Sequence, residues 1–169
     1  MFIIQGIIYW VHEFEEYIYP SGFLDYFNRH AMGSKRGDYP LTTIGSFWIN
    51  IPLVYIAMPF SAVLAHFFGL AFGLWTAYFS ALNALSHVGM AVIFKNKYNP
   101  GLIASVFLNI PFGIYTVWYF VSHNLVSTEA NIISLIVVMN YKKIHGLNTV
   151  RQIISRYAPP NEDQSKGKA

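Results

Sequence analysis

The sequence has no cysteine, which excludes disulfides, thiol nucleophiles and thiolate metal sites. It also has few charges: 11% of its residues are Asp, Glu, Lys or Arg, against about 25% in a typical soluble domain. Hydrophobic residues make up 54% of the chain, and the mean hydropathy is +0.39. A chain of 169 residues with this composition is expected to be an integral membrane protein of one domain.

Basic residues are missing from every long apolar run. The eleven Lys and Arg residues lie in three places, at 29–36, 95–97 and 142–168. This distribution follows the positive-inside rule of membrane topology, and it argues against a nucleic-acid partner despite the net charge of +3. Because the loops between apolar segments alternate in charge, the pattern predicts an N-terminus outside and a cytoplasmic C-terminal tail.

Five segments are apolar enough to be membrane helices, since a span needs about 20 such residues. They cover about 2–19, 41–68, 70–94, 102–120 and 129–141. The last one is short for a span and could instead lie in the interface. The sequence therefore predicts an all-α, polytopic membrane helix bundle over 1–145, with four core transmembrane helices and a weaker fifth. A basic, partly disordered tail is expected over 146–169. Kinks are expected at Pro52 and Pro59 in the second segment, and the fourth segment contains Pro111.

The first apolar segment carries acids that a membrane helix should not tolerate. Its ionisable residues are His12, Glu13, Glu15 and Glu16. Such groups cost several kcal/mol each in a bilayer unless they are paired, bound to metal or hydrated. On a helix, His12, Glu15 and Glu16 share one face, while Glu13 falls at its edge. His12, Glu15 and Glu16 are therefore predicted to form half of a functional site.

Polar residues at helical spacing on three other segments supply the rest of the predicted site. They are Thr43, Ser46 and Asn50, then Thr76, Ser80, Asn83 and His87, and then Ser105, Asn109 and Thr116. At about 1.5 Å per residue, His12, His87, Asn50 and Asn109 each lie roughly 12 Å from the same membrane face. This common depth predicts a cavity near the inner leaflet, with Asn50 and Asn109 among its substrate contacts. Its expected lining is His12, Glu15, Glu16, Asn83 and His87.

These residue types suit a metal centre. His12 and Glu16 are spaced i, i+4 and can bind one ion together, with His87 as the third ligand, a set that suits zinc or non-haem iron. We expect zinc in preference to iron or manganese. Glu15 would act as the general base on a bound water, although the two glutamates could exchange roles. Asn83 would orient His87 or bind substrate.

The predicted activity is therefore a metal-dependent hydrolase that acts on a membrane lipid or another hydrophobic molecule near the cytoplasmic face. Two other functions fit the same residues. Adjacent acids in a dry pocket can hold a proton for a metal-free lipid cyclase or isomerase. A proton-coupled transporter or ligand-binding membrane protein would use the same groups. A transporter of this size would need to form a homo-oligomer, and the chain has no visible inverted repeat.

Three short motifs follow one another along the chain: H-x-x-E-E at 12–16, N-x-x-x-H at 83–87 and Y-x-P-G at 98–101. Together they resemble the HXXEE-motif family of small integral membrane proteins, over about Gly6 to Tyr119. The resemblance implies a multi-pass membrane protein and supplies no established reaction. It adds Tyr98 and Gly101 as expected substrate contacts, where the start of a helix would favour an anionic group such as a lipid phosphate. The alternative is that this motif is only a turn.

Overall fold

The computed structural model of this protein describes residues 1–144, and helices joined by short connections make up most of them. The helices are α1 (Phe2–Tyr17), α2 (Phe23–Tyr26, continued by a π-helical turn over Phe27–Ala31), α3 (Thr43–Phe68), α4 (Ala71–Ile93), α5 (Leu102–Ser122) and α6 (Thr128–Ile144). The helical class predicted from the sequence is confirmed for this part of the chain. The predicted tail over 146–169 lies outside the described residues.

Within residues 1–144, three helices are long and apolar enough to cross a membrane: α3, α4 and α5. That is fewer than the four core spans predicted, because α1, the first of the four, has 16 residues, against the roughly 20 that cross a bilayer. Large apolar side chains such as Trp48, Phe107 and Trp118 face outward and are exposed by 68%, 72% and 59%. An apolar exterior of this kind suits a surface surrounded by lipid.

Two of these helices contain a wide, π-helical segment that ends two residues before a proline. In α3 the segment is Ile51–Ala57 and precedes Pro59, and in α5 it is Ser105–Asn109 and precedes Pro111. A proline has no N–H for the i→i−4 bond and crowds the carbonyl four residues earlier, which here lies inside the π-helical segment. The disturbance expected at Pro59 therefore takes the form of widened turns, which also contain Pro52, and α5 shows the same feature before Pro111.

Helix α4 lies at the centre of the bundle and contacts α1, α3, α5 and α6. Phe2 at the start of α1 packs edge-on against Phe120 at the end of α5, with ring centroids 5.3 Å apart, and against Gly73 at the start of α4. At the other end, His12 of α1 lies beside Asn83 of α4. Helices α1 and α4 therefore run in the same direction, and α5 runs against them.

The connection between α2 and α3 is fixed by Asn28, which is fully buried. Its Nδ2 donates to the carbonyl oxygens of Gly37 (2.7 Å) and Leu41 (2.8 Å), and its Oδ1 accepts from the amide of Leu41 (2.7 Å). These bonds join α2 to the residues before α3. Phe23, Phe27 and Leu41 of this region line one wall of a cavity inside the bundle.

Candidate metal centre

Three of the predicted site residues meet inside the bundle: His12 and Glu16 of α1, and His87 of α4. Glu16 Oε1 lies 3.3 Å from His12 Nε2 and 3.0 Å from His87 Nε2. The two imidazole rings are nearly perpendicular, with centroids 4.7 Å apart. One ligand atom from each residue lies within 4.8 Å of the others, and none of the three residues is more than 4% exposed. The structure thus brings together the side chains predicted as metal ligands.

Asn99 fixes the protonation of His87 and was not among the predicted site residues. Its Nδ2 donates to the backbone carbonyl of His87 (3.0 Å), which orients the amide so that Oδ1 faces His87 Nδ1 at 2.9 Å. Because an amide oxygen only accepts, Nδ1 must carry the hydrogen. A neutral His87 therefore directs the lone pair of Nε2 towards Glu16, which is how a second residue prepares a histidine to bind metal.

His12 is held differently. Its Nε2 accepts from Asn83 Nδ2 (3.3 Å), and its Nδ1 lies 3.4 Å from Ser105 Oγ. The Nε2 atoms of the two imidazoles and one carboxylate oxygen thus converge inside the bundle, as ligand atoms around a cation do. Zinc bonds of about 2.0 Å in a tetrahedron place neighbouring ligand atoms about 3.3 Å apart. The observed separations of 3.0 and 3.3 Å are close to that value, so these residues fit a zinc-sized ion.

Gly101 lies directly against both histidines. A Cβ atom at this position would be 2.7 Å from Cε1 of His12 and 2.7 Å from Cε1 of His87. Its φ of +93° is also in the region that favours glycine. The residue was predicted to contact substrate, and the structure places it as a wall behind the imidazole rings.

Glu15 does not share the position of Glu16. Its Oε1 accepts from Tyr98 OH (3.0 Å) and the Ile103 amide (3.1 Å), and its Oε2 accepts from the Ala104 amide (2.7 Å). Neighbouring helical residues project about 100° apart, so one glutamate faces the histidines while the other caps the start of α5. Burial and the Glu15 carboxylate raise the pKa of Tyr98 above its usual range, which keeps the phenol a donor. The helix start expected to bind an anionic headgroup therefore already holds a carboxylate.

Glu13 was predicted to stand aside, and the structure buries it at 5% exposure. Its Oε2 accepts from Asn50 Nδ2 (2.9 Å). Asn50 in turn donates to Ser46 Oγ (3.4 Å), which donates to Tyr17 OH (2.8 Å). Helix α3 packs on this side of α1, so Glu13, expected at the edge of the polar face, meets the polar stripe of a neighbouring helix. That stripe on α3 was the signal in the sequence that could have located Glu13.

A cavity of about 300 Å³ opens beside the three converging side chains. Its walls are mainly apolar and aromatic, formed by residues such as Tyr9, Phe23, Phe27, Leu53, Phe79 and Met90. Its polar lining comes from Glu13, Glu16, Ser46, Asn50, Asn83, Ser86 and His87, with Tyr17 beside them. In the part of the chain that the structure describes, no Lys or Arg lines this cavity.

The predicted lining is therefore partly different from the observed one. Glu16, Asn83 and His87 line the cavity, whereas His12 is fully buried beside them and Glu15 faces α5. Asn109 is also fully buried and lies outside the cavity lining. It follows Ser105 by one turn of α5, in the interior of the bundle.

A family model described as a protein of unknown function with HXXEE motif matches residues 3–116. The match contains all three motifs and every residue of the candidate centre. No curated protein and no solved structure matches the chain.

Proposed function

Because the chain belongs to the HXXEE-motif family, whose function is unknown, we propose an activity from its site: a membrane-embedded, metal-dependent hydrolase for hydrophobic or lipid-like substrates. One observation carries the proposal. The Nε2 atoms of His12 and His87 converge on Glu16 Oε1, at 3.3 and 3.0 Å, beside a cavity with apolar walls. Three protein ligands of this kind are typical of catalytic rather than structural zinc sites.

A divalent ion bound by His12, Glu16 and His87 would supply Lewis acidity to the reaction. Zinc suits this nitrogen and oxygen set best, iron suits it as well, and manganese prefers oxygen ligands. Asn99 keeps the Nε2 lone pair of His87 available through its bond to Nδ1. His12 is supported at its other ring nitrogen by Ser105, 3.4 Å from Nδ1, and an ion bound at Nε2 would replace the hydrogen bond that Asn83 donates there.

Glu13 is our candidate for the proton acceptor. It lines the cavity, and Asn50 holds its Oε2 at 2.9 Å. Glu15, the base expected from the sequence, has both oxygens engaged by α5 and Tyr98 and is less able to move a proton. Asn83 and Ser86 also line the cavity and can bind polar atoms of the substrate.

The substrate class follows from the cavity walls. A volume of about 300 Å³ is at the lower end of ligand pockets. Its aromatic and aliphatic walls would hold an acyl chain or another hydrophobic group, and its polar residues would hold the group that reacts. A lipid of the surrounding bilayer is the most accessible molecule of that kind.

We place the site towards the cytoplasmic side of the membrane. The basic segment at 29–36 lies at the end of α2 and in the connection to α3, and the segment at 95–97 follows the end of α4 nearest the site. The positive-inside rule assigns such segments to the cytoplasm. In this arrangement α1, about 24 Å long at 16 residues, inserts as a fourth core helix with its N-terminus outside. If α6 crosses as a fifth span, the basic tail is cytoplasmic.

Elemental analysis of the purified protein tests the metal. We expect about one zinc per chain, lost on His12→Ala and on His87→Ala and retained in His66→Ala, whose exposed histidine lies on α3 outside the cavity lining. A protein that holds no zinc, iron or manganese, or variants that retain the wild-type content, would overturn the metal-dependent mechanism.

The reaction class is tested with a panel of lipids in bilayer nanodiscs, in water enriched in ¹⁸O. A hydrolase incorporates the label into product, and Glu13→Gln is expected to abolish turnover while zinc remains bound. The second candidate is a metal-free cyclase or isomerase, which the hydrogen-bond distances from Glu16 Oε1 to both imidazoles favour, because a shared proton can replace the ion. Unlabelled product and full turnover after chelation would select it.

A transporter or ligand-binding protein would yield no product at all. It would show proton or solute flux in sealed vesicles, abolished by Glu13→Gln or Glu15→Gln. A transporter of this size is expected to form a homo-oligomer, and light scattering of the purified protein would measure its oligomeric state.

A further inference from the structure

Four polar side chains in the interior of the bundle have no hydrogen-bond partner among the residues that the structure describes. They are Gln5 of α1, Ser80 of α4, and Asn109 and Thr116 of α5, and each is 0% exposed. In a membrane protein an unpaired polar group inside the bundle is costly, because no bulk water reaches it. Some ligand other than a neighbouring side chain must therefore satisfy them.

These side chains belong to three helices that pack against each other. At one end of the bundle, Phe2 meets Gly73 and Phe120. At the other end, His12 meets Asn83 and Ser105. All four unpaired residues lie between these two levels along their helices.

Their heights can be counted from the first level at about 1.5 Å per residue. Gln5 lies about 5 Å from it, Thr116 about 6 Å, Ser80 about 10 Å and Asn109 about 16 Å, which is near the height of His12. Gln5 and Thr116 therefore lie at nearly the same height, Ser80 lies about 4 Å further along, and Asn109 lies about 6 Å beyond Ser80. Two polar groups bridged by one water are about 5.6 Å apart, since each of the two bonds is about 2.8 Å, so single waters can connect these levels.

We propose that these side chains bind a short file of water molecules between α1, α4 and α5, which ends at Ser105 and His12 Nδ1. Amides and hydroxyls offer both donors and acceptors and carry no charge, so the set suits neutral water better than a metal ion or an anion. Ser105 Oγ, 3.4 Å from His12 Nδ1, connects the file to the candidate centre.

The file opens towards the site and not through the bundle. The edge-to-face pair of Phe2 and Phe120, together with the fully buried Leu74, closes the far end. Water in this position would extend the contact between Ser105 Oγ and His12 Nδ1, on the side of the ring opposite Glu16. This binding site stands whether or not a metal or a hydrolytic activity is found.

Solid-state NMR of the wild-type protein in deuterated lipid bilayers tests the file directly. Polarisation transferred from water protons to side-chain amide nitrogens reports bound water. The matched control is Asn99, which is equally buried but has both amide groups bonded to His87. We expect transfer to Asn109 and Gln5 to build up several-fold faster than transfer to Asn99. Equal, slow build-up at all three amides would overturn the proposal.

A second measurement uses isosteric substitutions. Thr116→Val removes a hydroxyl that has no protein partner, while Thr76→Val removes one that donates to the Gly73 carbonyl at 2.7 Å. If water binds Thr116, its replacement lowers the Tm by about 2–4 °C. A rise in Tm on Thr116→Val would show that the hydroxyl is dry and unpaired, and would overturn the file at that position. The Thr76 variant measures the loss of an ordinary intrahelical bond for comparison.

Discussion

Asn99 offers the sharpest test of how the candidate centre is built. It touches no predicted ligand atom, yet its amide holds His87 in the tautomer that exposes Nε2. Replacing it by leucine keeps all three ligands and removes the acceptor for Nδ1. Replacing it by aspartate keeps an acceptor and makes it charged. Leucine should therefore lower metal affinity, whereas aspartate should not.

The size of the effect follows from the loss of one supporting hydrogen bond. Removing such a partner from a ligating histidine lowers metal affinity by about 10–100-fold, which is about 1.4–2.7 kcal/mol. Asn99→Leu also leaves the buried His87 Nδ1–H without an acceptor, at a cost of about 1–3 kcal/mol in the free energy of unfolding. Asn99→Asp loses the donor to the His87 carbonyl and should be destabilised similarly. A carboxylate behind the imidazole raises its basicity, so zinc should bind at least as tightly as to the wild type.

The assay is a zinc competition against a chelator of known affinity, with thermal unfolding measured on the same samples. Asn96→Leu, in the same loop and bonded to Tyr26 rather than to the site, is the control for general destabilisation. We expect weaker zinc binding for leucine alone, although both Asn99 variants unfold at lower temperature. If leucine and aspartate weaken zinc equally, or if neither changes its affinity, the tautomer argument is refuted.

Three further substitutions test the contacts at the start of α5, beside the candidate centre. Gly101→Ala should displace both histidines and abolish zinc binding. The control is Gly89→Ala, whose Cβ would meet no atom within 4 Å and which should leave zinc binding unchanged. Elemental analysis of both variants measures the difference. Glu15→Gln should lower the Tm, because a charged cap on α5 is worth about 0.5–2 kcal/mol, and zinc content should persist; loss of zinc with an unchanged Tm would contradict the capping role. Tyr98→Phe removes the hydrogen bond to Glu15 and should lower the free energy of unfolding by about 1 kcal/mol. A variant as stable as wild type would show that this bond does not contribute to stability.

The part of this site that could be predicted from sequence is the part set by helical periodicity and depth. His12 and Glu16 are spaced i, i+4, and counting residues from the helix ends placed His87 at the same height. Both inferences need only a straight helix, and α1 and α4 are straight α-helices over these residues. The pairing of His12 with His87 followed from them.

What could not be predicted depends on which helix packs against which face. Glu13 was predicted to lie at the edge of the polar face, because the periodicity of α1 does not show which helix packs there. In the structure α3 packs on that side, and its Asn50 donates a hydrogen bond to Glu13. Asn99 lies in a connection, where no periodicity exists to indicate that its amide faces His87. The π-helical segments rotate all later residues of α3 and α5 relative to a regular helix, so a position counted across them, such as that of Asn109 counted from the start of α5, carries an offset.

The two adjacent glutamates of the motif have different tasks, and the difference explains why they are adjacent. One helical step turns the second side chain by about 100°. Glu16 can therefore reach both imidazoles while Glu15 reaches the first turn of α5. That turn begins at Gly101, whose backbone lies against the same two imidazole rings. A shift of α1 would move the ligand, the helix cap and the glycine wall together, so the motif couples the geometry of the candidate centre to the packing of α1, α4 and α5.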